Sequence, residues 1–309
     1  MNKLSEAKVG LIVPTRNAGK DWLEWIAAYQ KQTFKPSTVL IIDSSSEDDT
    51  VKYSLDAGFK CEVIKKENFD HGRTRDYAIS LLDPDIEIAV LLTQDAILHD
   101  DNAIEKLVES FNNEDVAMAY GRQLPHFDAT HTAIHQRHYS YADYPRLQDK
   151  ASIDQLGIKA AFCSNSFSAY RLKKYKEYGG FPDNIIFGED MYLAAKMVLA
   201  GQSVAYASDA LVRHSHNYTI KEDFKRCFDI GVFHVAEGWI LKNFGRATGE
   251  GKKFVFSEIS YLLKNNPLAV ITSVCRCAAK VIAYKLGRSY KKLPTTLCKS
   301  LSMNAGFWK

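Results

Sequence analysis

Apolar and polar positions alternate between two rhythms along the first 122 residues. Short, predominantly apolar runs at 9–13, 39–42, 61–64 and 86–92 suit strands covered on both faces; a half-exposed strand would instead alternate with period two. Between them, 21–32, 50–57, 73–82 and 102–111 show helical spacing, as with Trp22, Ile26 and Tyr29, and 116–120 returns to strand. Such alternation predicts an α/β fold with a mostly parallel sheet and helices on both sides. Farther on, 121–158 reads as irregular and 160–170 as a strand entering a turn. A loop over 181–190 precedes a helix over 191–200 that Gly201 stops, and 203–214 is extended. The stretch 222–244 reads as one long amphipathic helix, with Phe224, Phe228, Val232, Val235 and Trp239 along one side. We therefore divide the chain into an α/β unit over 1–220 and a helical unit over 221–309.

In an open α/β sheet, ligands bind beyond the carboxyl ends of the strands. Three polar clusters lie there: Thr15, Arg16 and Asn17; Asp43, Ser44 and Ser45; and Gln94 with Asp95. Each could simply cap the helix that follows, but three together favour a shared site. Neither a Gly-x-Gly-x-x-Gly turn nor a Gly-x-x-x-x-Gly-Lys-Ser/Thr loop is present, which counts against NAD- and ATP-dependent chemistry. The middle segment carries His126, His131, His135 and His138. His131 and His135 have metal-pair spacing if helical, but a substrate-facing loop or a solvated helix face is the preferred reading.

Composition is ordinary for a globular chain of 309 residues, at 46% hydrophobic and 25% charged. The net charge of +3 conceals an asymmetry. From 245 onward there are 12 basic and 2 acidic residues, a surplus of +10, and the remainder carries −7. In this basic tail apolar residues at helical spacing alternate with cations, which suits an interfacial helix on an anionic leaflet. A helix packed on the body with a solvated basic face is the alternative. No nucleic-acid motif accompanies the tail, so nucleic acid is not expected as a partner. The six cysteines are scattered and read as reduced thiols of a cytosolic protein. Positions 1–8 are polar and lack the apolar stretch of a secretion signal, and no run is long enough to span a bilayer.

A carboxylate at a strand end, as at Asp95, suits a hard divalent cation. Strand alternation puts His214 and His216 on the same side, where one imidazole can join it. Glu189 and Asp190 sit just ahead of a helix, whose positive end favours an ionised carboxylate suited to general-base work; helix capping is the rival role.

Taken in order, these clusters resemble the inverting glycosyltransferases of family 2, with the GT-A fold. The resemblance rests on Val13 to Asn17, Ile41 to Ser45 with Asp48 and Thr50, Thr93 to Ala96, and Gly188 to Asp190. Within that family the chain looks most like bacterial rhamnosyltransferases of O-antigen and cell-surface polysaccharide synthesis. The narrower match rests on Phe69 to Gly72, Leu91 to Ala96, Tyr120 to Pro125, Ser164 to Ser166, His214 to His216, and the tail from Tyr284 to Lys309. The resemblance implies that Pro14, Thr15, Asn17, Ser45 and Gln94 line the nucleotide pocket and that Asp43 accepts from a pyrimidine N3–H. It puts His71, Gly72, Arg73 and Arg75 near the diphosphate. Asp95 would hold Mg²⁺ or Mn²⁺, aided by His214 or His216, and Asp190 would be the base with Glu189 beside it. Two departures stand out: the metal motif keeps only Asp95 after Thr93 and Gln94, and Arg73 adds a positive charge near the diphosphate. The implied reaction moves a sugar, L-rhamnose from dTDP-β-L-rhamnose, onto a hydroxyl of a lipid-linked saccharide, with inversion. Another dTDP- or UDP-sugar, a nucleotidyltransferase and a non-catalytic binding module are the rival readings. The implied location is the inner face of the cell membrane, peripherally bound, and a homo-oligomer is left open.

Overall fold

The computed structural model describes residues 7–245 and 249–308; the ends of the polar N-terminal segment and of the basic tail, Met1 and Lys309 among them, lie outside the described residues. Nine strands form one sheet: β1 (Val9–Thr15), β2 (Thr38–Asp43), β3 (Lys60–Val63), β4 (Ile88–Leu92), β5 (Ile97–Leu98), β6 (Val116–Leu124), β7 (Arg146–Gln148), β8 (Phe167–Arg171) and β9 (Ser203–Arg213). Their order is β3-β2-β1-β4-β8-β6-β9-β5, with β7 also on β9. Helices of the body are α1 (Asp21–Gln30), α2 (Thr50–Asp56), α3 (His71–Ser80), α4 (Ala103–Glu109), α5 (His131–Ser140), α6 (Ile153–Leu156), α7 (Leu172–Glu177) and α8 (Glu189–Leu199). The chain then forms α9 (Ile220–Ala236), α10 (Gly238–Phe244), α11 (Glu250–Asn265), α12 (Ala269–Arg288) and α13 (Thr295–Leu301).

The apolar runs become central strands because both of their faces are covered. Leu11, Val13, Ile41, Val90 and Leu92 point to one side, against Trp22 and Trp25 of α1 and Leu107 of α4. Their neighbours Ile12, Ile42, Ala89 and Leu91 point to the other, against Ala78 and Ile79 of α3 and Leu193 of α8. Period-two alternation thus feeds two cores from one sheet.

The sheet is parallel across β3-β2-β1-β4 and again between β6 and β9, and β8 runs antiparallel between those blocks. This insertion brings the amino end of β8 to the carboxyl end of β4, where the Thr93 N–H donates to the Ser166 carbonyl at 3.2 Å. Beside β9, the short β5 pairs Ile97 with Arg213, which draws Asp95 toward the residues that follow β9.

Three local expectations need correction. The segment 121–158 is ordered: β6 runs on to Leu124, and α5 and β7 follow. Strand 160–170 begins only at Phe167, after a 3₁₀ turn over Gly157–Ala161. The helix over 222–244 is two helices, parted at Glu237, whose φ of −101° and ψ of 44° leave the helical region. The six cysteines are free thiols.

The apolar core on the α3 and α8 side continues without a break into Phe228, Val232 and Phe233 of α9 and Ala283 of α12. The two helices cross with backbones touching. A Cβ on Gly287 would drive into the Phe228 carbonyl, and one on Gly231 into the Tyr284 carbonyl. Polar bonds flank the crossing: Asp223 takes both Arg276 and Lys280, and His234 Nδ1 lies 2.9 Å from the Tyr284 hydroxyl. Replacing Gly287 with Ala is expected to destabilise the protein by about 1–3 kcal/mol, since neither backbone has room to retreat from the added methyl. A urea midpoint unchanged by Gly287→Ala would show that this contact does not hold the helices together.

Candidate active site

The first part of the site is built by the ends of β1 and β2. Thr15 and Asp43 are the last residues of these strands and stand opposite each other in the ladder. The Asp43 carboxylate is fully buried; Oδ1 accepts from the Thr15 hydroxyl at 2.8 Å and the Ser46 hydroxyl at 2.6 Å, and Oδ2 from the Ser46 N–H at 2.7 Å. Asn17 and Ser45 adopt φ of 44° and 57°, a left-handed backbone that non-glycine residues rarely occupy. Cross-bonds hold them there. The Asn17 N–H donates to Ser46 Oγ, Asn17 Oδ1 accepts from the Glu47 N–H, and the Ser45 hydroxyl donates to the Ile64 carbonyl, all at 2.8 Å. Neither N-cap residue, Lys20 or Asp49, caps its helix with a side chain, and the first N–H of α2 is taken by Asp48 at 3.1 Å, so these clusters shape a loop pair rather than serve as helix caps. Gln94 clamps the Arg16 backbone at both ends, accepting from its N–H at 2.7 Å and donating to its carbonyl at 3.2 Å. Pro14 is half-buried.

Asp70 caps α3, accepting from the Gly72 and Arg73 N–H groups at 3.1 and 3.0 Å, and so fixes the turn carrying His71 and Gly72. Arg73 is exposed and faces Asp70 at 3.9 Å. Arg75 is buried: its Nη1 donates to the His71 carbonyl at 2.9 Å and forms an ion pair with Glu189 at 3.0 Å. The structure thus sets the buried Arg75 against Glu189 and leaves Arg73 at the surface.

That pair opens α8. Gly188 precedes it with φ of 78°, and a Cβ there would meet the Phe233 ring at 3.2 Å, so the turn into the helix needs glycine. Glu189 is buried. Its Oε1 takes both Arg75 and the Asn165 side-chain amide, the latter at 3.0 Å, and against the opposing pull of burial the Arg75 charge holds it below the usual glutamate range. Asp190 is half-buried and accepts from the Met191 N–H at 2.7 Å and the Asn165 N–H at 3.1 Å. Burial, with the Glu189 charge beside it, pushes its carboxyl up to about 7.

Asp95, His214 and His216 form the one cluster among the described residues with the spacing of a metal site, their ligating atoms all within 4.8 Å of one another. His214 Nε2 and His216 Nε2 face Asp95 Oδ2 at 3.4 and 3.9 Å. Burial would raise the Asp95 carboxyl, but the hydrogen bond and charge of His214, with help from His216, hold it well below the carboxylate range. Burial and then the neighbouring His214 push His216 down to about 4, so it offers a lone pair at neutral pH. Gln123 sets the tautomer of His214. Its Oε1 accepts from Arg137 Nη1 at 2.5 Å; Arg137 only donates, so this atom is the oxygen, and His214 Nδ1 at 2.9 Å must carry the proton. That leaves His214 Nε2 as the ring atom facing Asp95. A carboxylate with two imidazoles, one braced from behind, fits a divalent ion of the Mn²⁺ type better than the all-oxygen preference of Mg²⁺.

The His131–His135 pair does not form a site. The segment is helical, but His135 is buried against α11, 2.9 Å from Ser257 Oγ and 5.2 Å from the Phe254 ring, so neither the loop nor the solvated-face reading holds. Sequence reasoning also passed over Gln123, Arg137, Asn165 and Arg226. Gln123 and Asn165 lie inside motifs that marked the resemblance but carried no role. Arg226 stacks over the Phe187 ring at 5.0 Å and sits close enough to His71 and His216 to disfavour their charging, which its place on an amphipathic helix did not signal.

Comparison with known proteins converges on this architecture. The description Glycosyl transferase family 2 matches residues 11–179, more than half of the chain. The chain is 46% identical over 299 residues to the O-antigen chain rhamnosyltransferase WbaN of Salmonella anatum, covering 96% of this chain and 95% of that one. It is 45% identical over 302 residues to the O-antigen chain rhamnosyltransferase RfbN of Salmonella typhimurium, covering 97% and 96%. Among solved structures, the mannosyltransferase PcManGT from Pyrobaculum calidifontis, in complex with GDP-Man and Mn²⁺, has a TM-score of 0.57 at 17% identity over 97% of this chain and 84% of that one. TarS 1–349 of S. aureus in complex with UDP-GlcNAc has a TM-score of 0.51 at 15% identity, covering 92% of each chain. Likeness at that identity speaks for the shared GT-A fold alone. With the family match running from β1 through β8 and the relatives spanning nearly the whole length, the chain belongs to glycosyl transferase family 2 and is a glycosyltransferase.

Proposed function

We propose that the protein transfers L-rhamnose, with inversion, from dTDP-β-L-rhamnose to a hydroxyl of a lipid-linked saccharide in O-antigen synthesis, with Asp190 as general base. The observation that carries the reaction type is the acidic pair at α8. Arg75 keeps Glu189 ionised, and that charge with burial lifts Asp190 into the range where a carboxylate is a strong enough base yet still ionises near neutrality. The two rhamnosyltransferases similar over nearly the whole chain support the sugar and the polysaccharide acceptor.

In this reading Asp190 takes the proton of the acceptor hydroxyl as its oxygen bonds to the anomeric carbon. The bond from that carbon to the diphosphate breaks on the opposite face, so a β-linked donor gives an α-rhamnoside. Asn165, through its N–H on Asp190 and its amide on Glu189, keeps the base aimed while its charge changes. Asp43 has carboxylate acceptor capacity beyond its three bonds, which suits a pyrimidine N3–H. Asp95, His214 and His216 would hold a divalent cation, which when bound supplies positive charge to the diphosphate. Arg73 and Arg226 would add positive charge there, Arg137 braces Gln123, and Arg75 serves the acidic pair.

Three experiments test this reading. Asp190→Asn should leave donor binding intact and lower turnover by about 10²-fold or more; near-normal turnover removes Asp190 from the role. For the native enzyme kcat/KM should rise with pH through about 7 as Asp190 ionises. Glu189→Gln removes a negative neighbour and so should move that limb to lower pH; an unmoved or alkaline-shifted limb contradicts the assignment. Gln123→Leu should weaken Mn²⁺ binding, measured by calorimetry without substrate, by about 10–100-fold; equal affinity would mean that the tautomer of His214 does not matter to the ion.

A further inference from the structure

A soluble helix normally buries its apolar side and shows its charges to water. As far as Ile282, α12 does the reverse. Its two inner cations, Arg276 and Lys280, turn toward the buried Asp223 of α9, and Ser273, Ala283 and Gly287 are buried with them. Positions 271, 274, 275, 278, 281 and 282 have the i, i+3, i+4 spacing of one helical face, and all six are exposed and apolar; exposed Thr272 borders this face and exposed Lys285 continues it. Ile271 is 76% exposed, Val281 54% and Ile282 55%. This stripe runs for about 16 Å along the helix axis at 1.5 Å per residue, without a charged residue in it. At its start the turn from α11 presents Leu268, 90% exposed, and α11 adds exposed Phe256 and Leu263 one above the other at i, i+7.

Scattered exposed apolar residues need no explanation, but a continuous stripe on a helix whose inner face is already packed does. The charge around it says what covers it. Among residues 251–308 the sole carboxylate side chain, Glu258, is buried and accepts from Ser273 Oγ at 2.6 Å. Lys252 and Lys264 on α11, and Lys285, Arg288, Lys291 and Lys292 at the far end of α12, are exposed. A second copy docking by the same stripe would bring two such cationic rims together. An anionic bilayer meets both features, taking the apolar stripe among its acyl chains and the cations among its headgroups. No described helix is long and apolar enough to cross a membrane, so the contact is with the surface.

We propose that the outer face of α12, with the α11–α12 turn, is a docking surface for an anionic lipid bilayer. The proposal stands on exposure and charge and is read by binding, separately from turnover. The full chain is mixed with vesicles of phosphatidylcholine alone or of phosphatidylcholine with phosphatidylglycerol, and floated on a density gradient. The native chain should float with the anionic vesicles, and added salt should weaken the binding. Ile271→Asp with Val281→Asp should lower vesicle affinity by about tenfold or more at an unchanged melting temperature, because both positions are already in water. Lys285→Glu with Arg288→Glu should abolish the preference for anionic vesicles. Failure of the native chain to float, or flotation indifferent to both double variants, overturns the proposal. So does loss of a dimer in the apolar variant without vesicle binding by the native chain, which would make the stripe an interface between copies.

Discussion

Asn165 uses every hydrogen-bonding group of its side chain, and its backbone N–H, inside the protein. Its N–H reaches Asp190, its amide nitrogen reaches Glu189, and its Oδ1 accepts from Ser168 at 2.9 Å and from the Tyr170 hydroxyl at 2.5 Å. Ser168 and Tyr170 are on β8, and Glu189 and Asp190 begin α8, so one buried amide ties the sheet to the helix that carries the proposed base. The constraint works because β8 is antiparallel. A parallel strand in that place would deliver its carboxyl end to the site and leave its amino end at the opposite edge. One residue earlier, Ser164 Oγ accepts from Gln123 Nε2 at 2.9 Å, and Gln123 in turn fixes His214. A continuous polar path therefore joins the acidic pair to the Asp95 cluster, and each member has few orientations left to choose.

The same path sorts three carboxylates into different states. Asp95 is held ionised chiefly by His214, Glu189 by Arg75, and Asp190 alone has no cation of its own in contact. Of the two neighbours at the α8 terminus, the one that owns the arginine keeps its charge, and the other is raised because that charge is fixed. Pushing adjacent pKa values apart is how a site obtains both a permanent anion and a base that titrates near neutrality. Arg75 is thereby committed to the acidic pair, and in the proposed reaction Arg73 and Arg226 would be left to face the diphosphate.

What the sequence could disclose follows from the range of the interactions. β1, β2 and β4 were legible because strands covered on both faces carry their burial in their own composition. The polar clusters after them were legible because chain direction alone puts them at one edge. Gly188, Glu189 and Asp190 could be picked out because a left-handed glycine and two acids ahead of a helix are a local pattern. The direction of β8 was not legible, since nothing in Phe167 to Arg171 says whether its partners β4 and β6 run with or against it. His135 was misread for a similar reason: the spacing was right for a helix, but Phe254 and Ser257, which cover it, come about 120 positions later. The break at Glu237 was hidden because α10 resumes with an apolar side of its own, Ile240 and Phe244.

The charge partition of the chain takes its meaning from one helix. α9 touches both halves of the problem: Arg226 stands beside Phe187, close to His71 and His216, while Asp223, Phe228 and Gly231 form the seat of α12. With Gly231 and Gly287 in backbone contact, α12 has no room to swing on that seat. A bilayer held on the outer stripe of α12 would therefore set the orientation of α9, and through it of the whole sheet edge, relative to the lipid surface. A flexible basic tail would concentrate the enzyme at a membrane without orienting it. A helix locked by two glycines and a buried ion pair would do both. For an acceptor anchored in that same surface, presenting one edge of the sheet at a fixed angle would confine the hydroxyl to a narrow range of approach to Asp190, which is the geometric condition for in-line displacement.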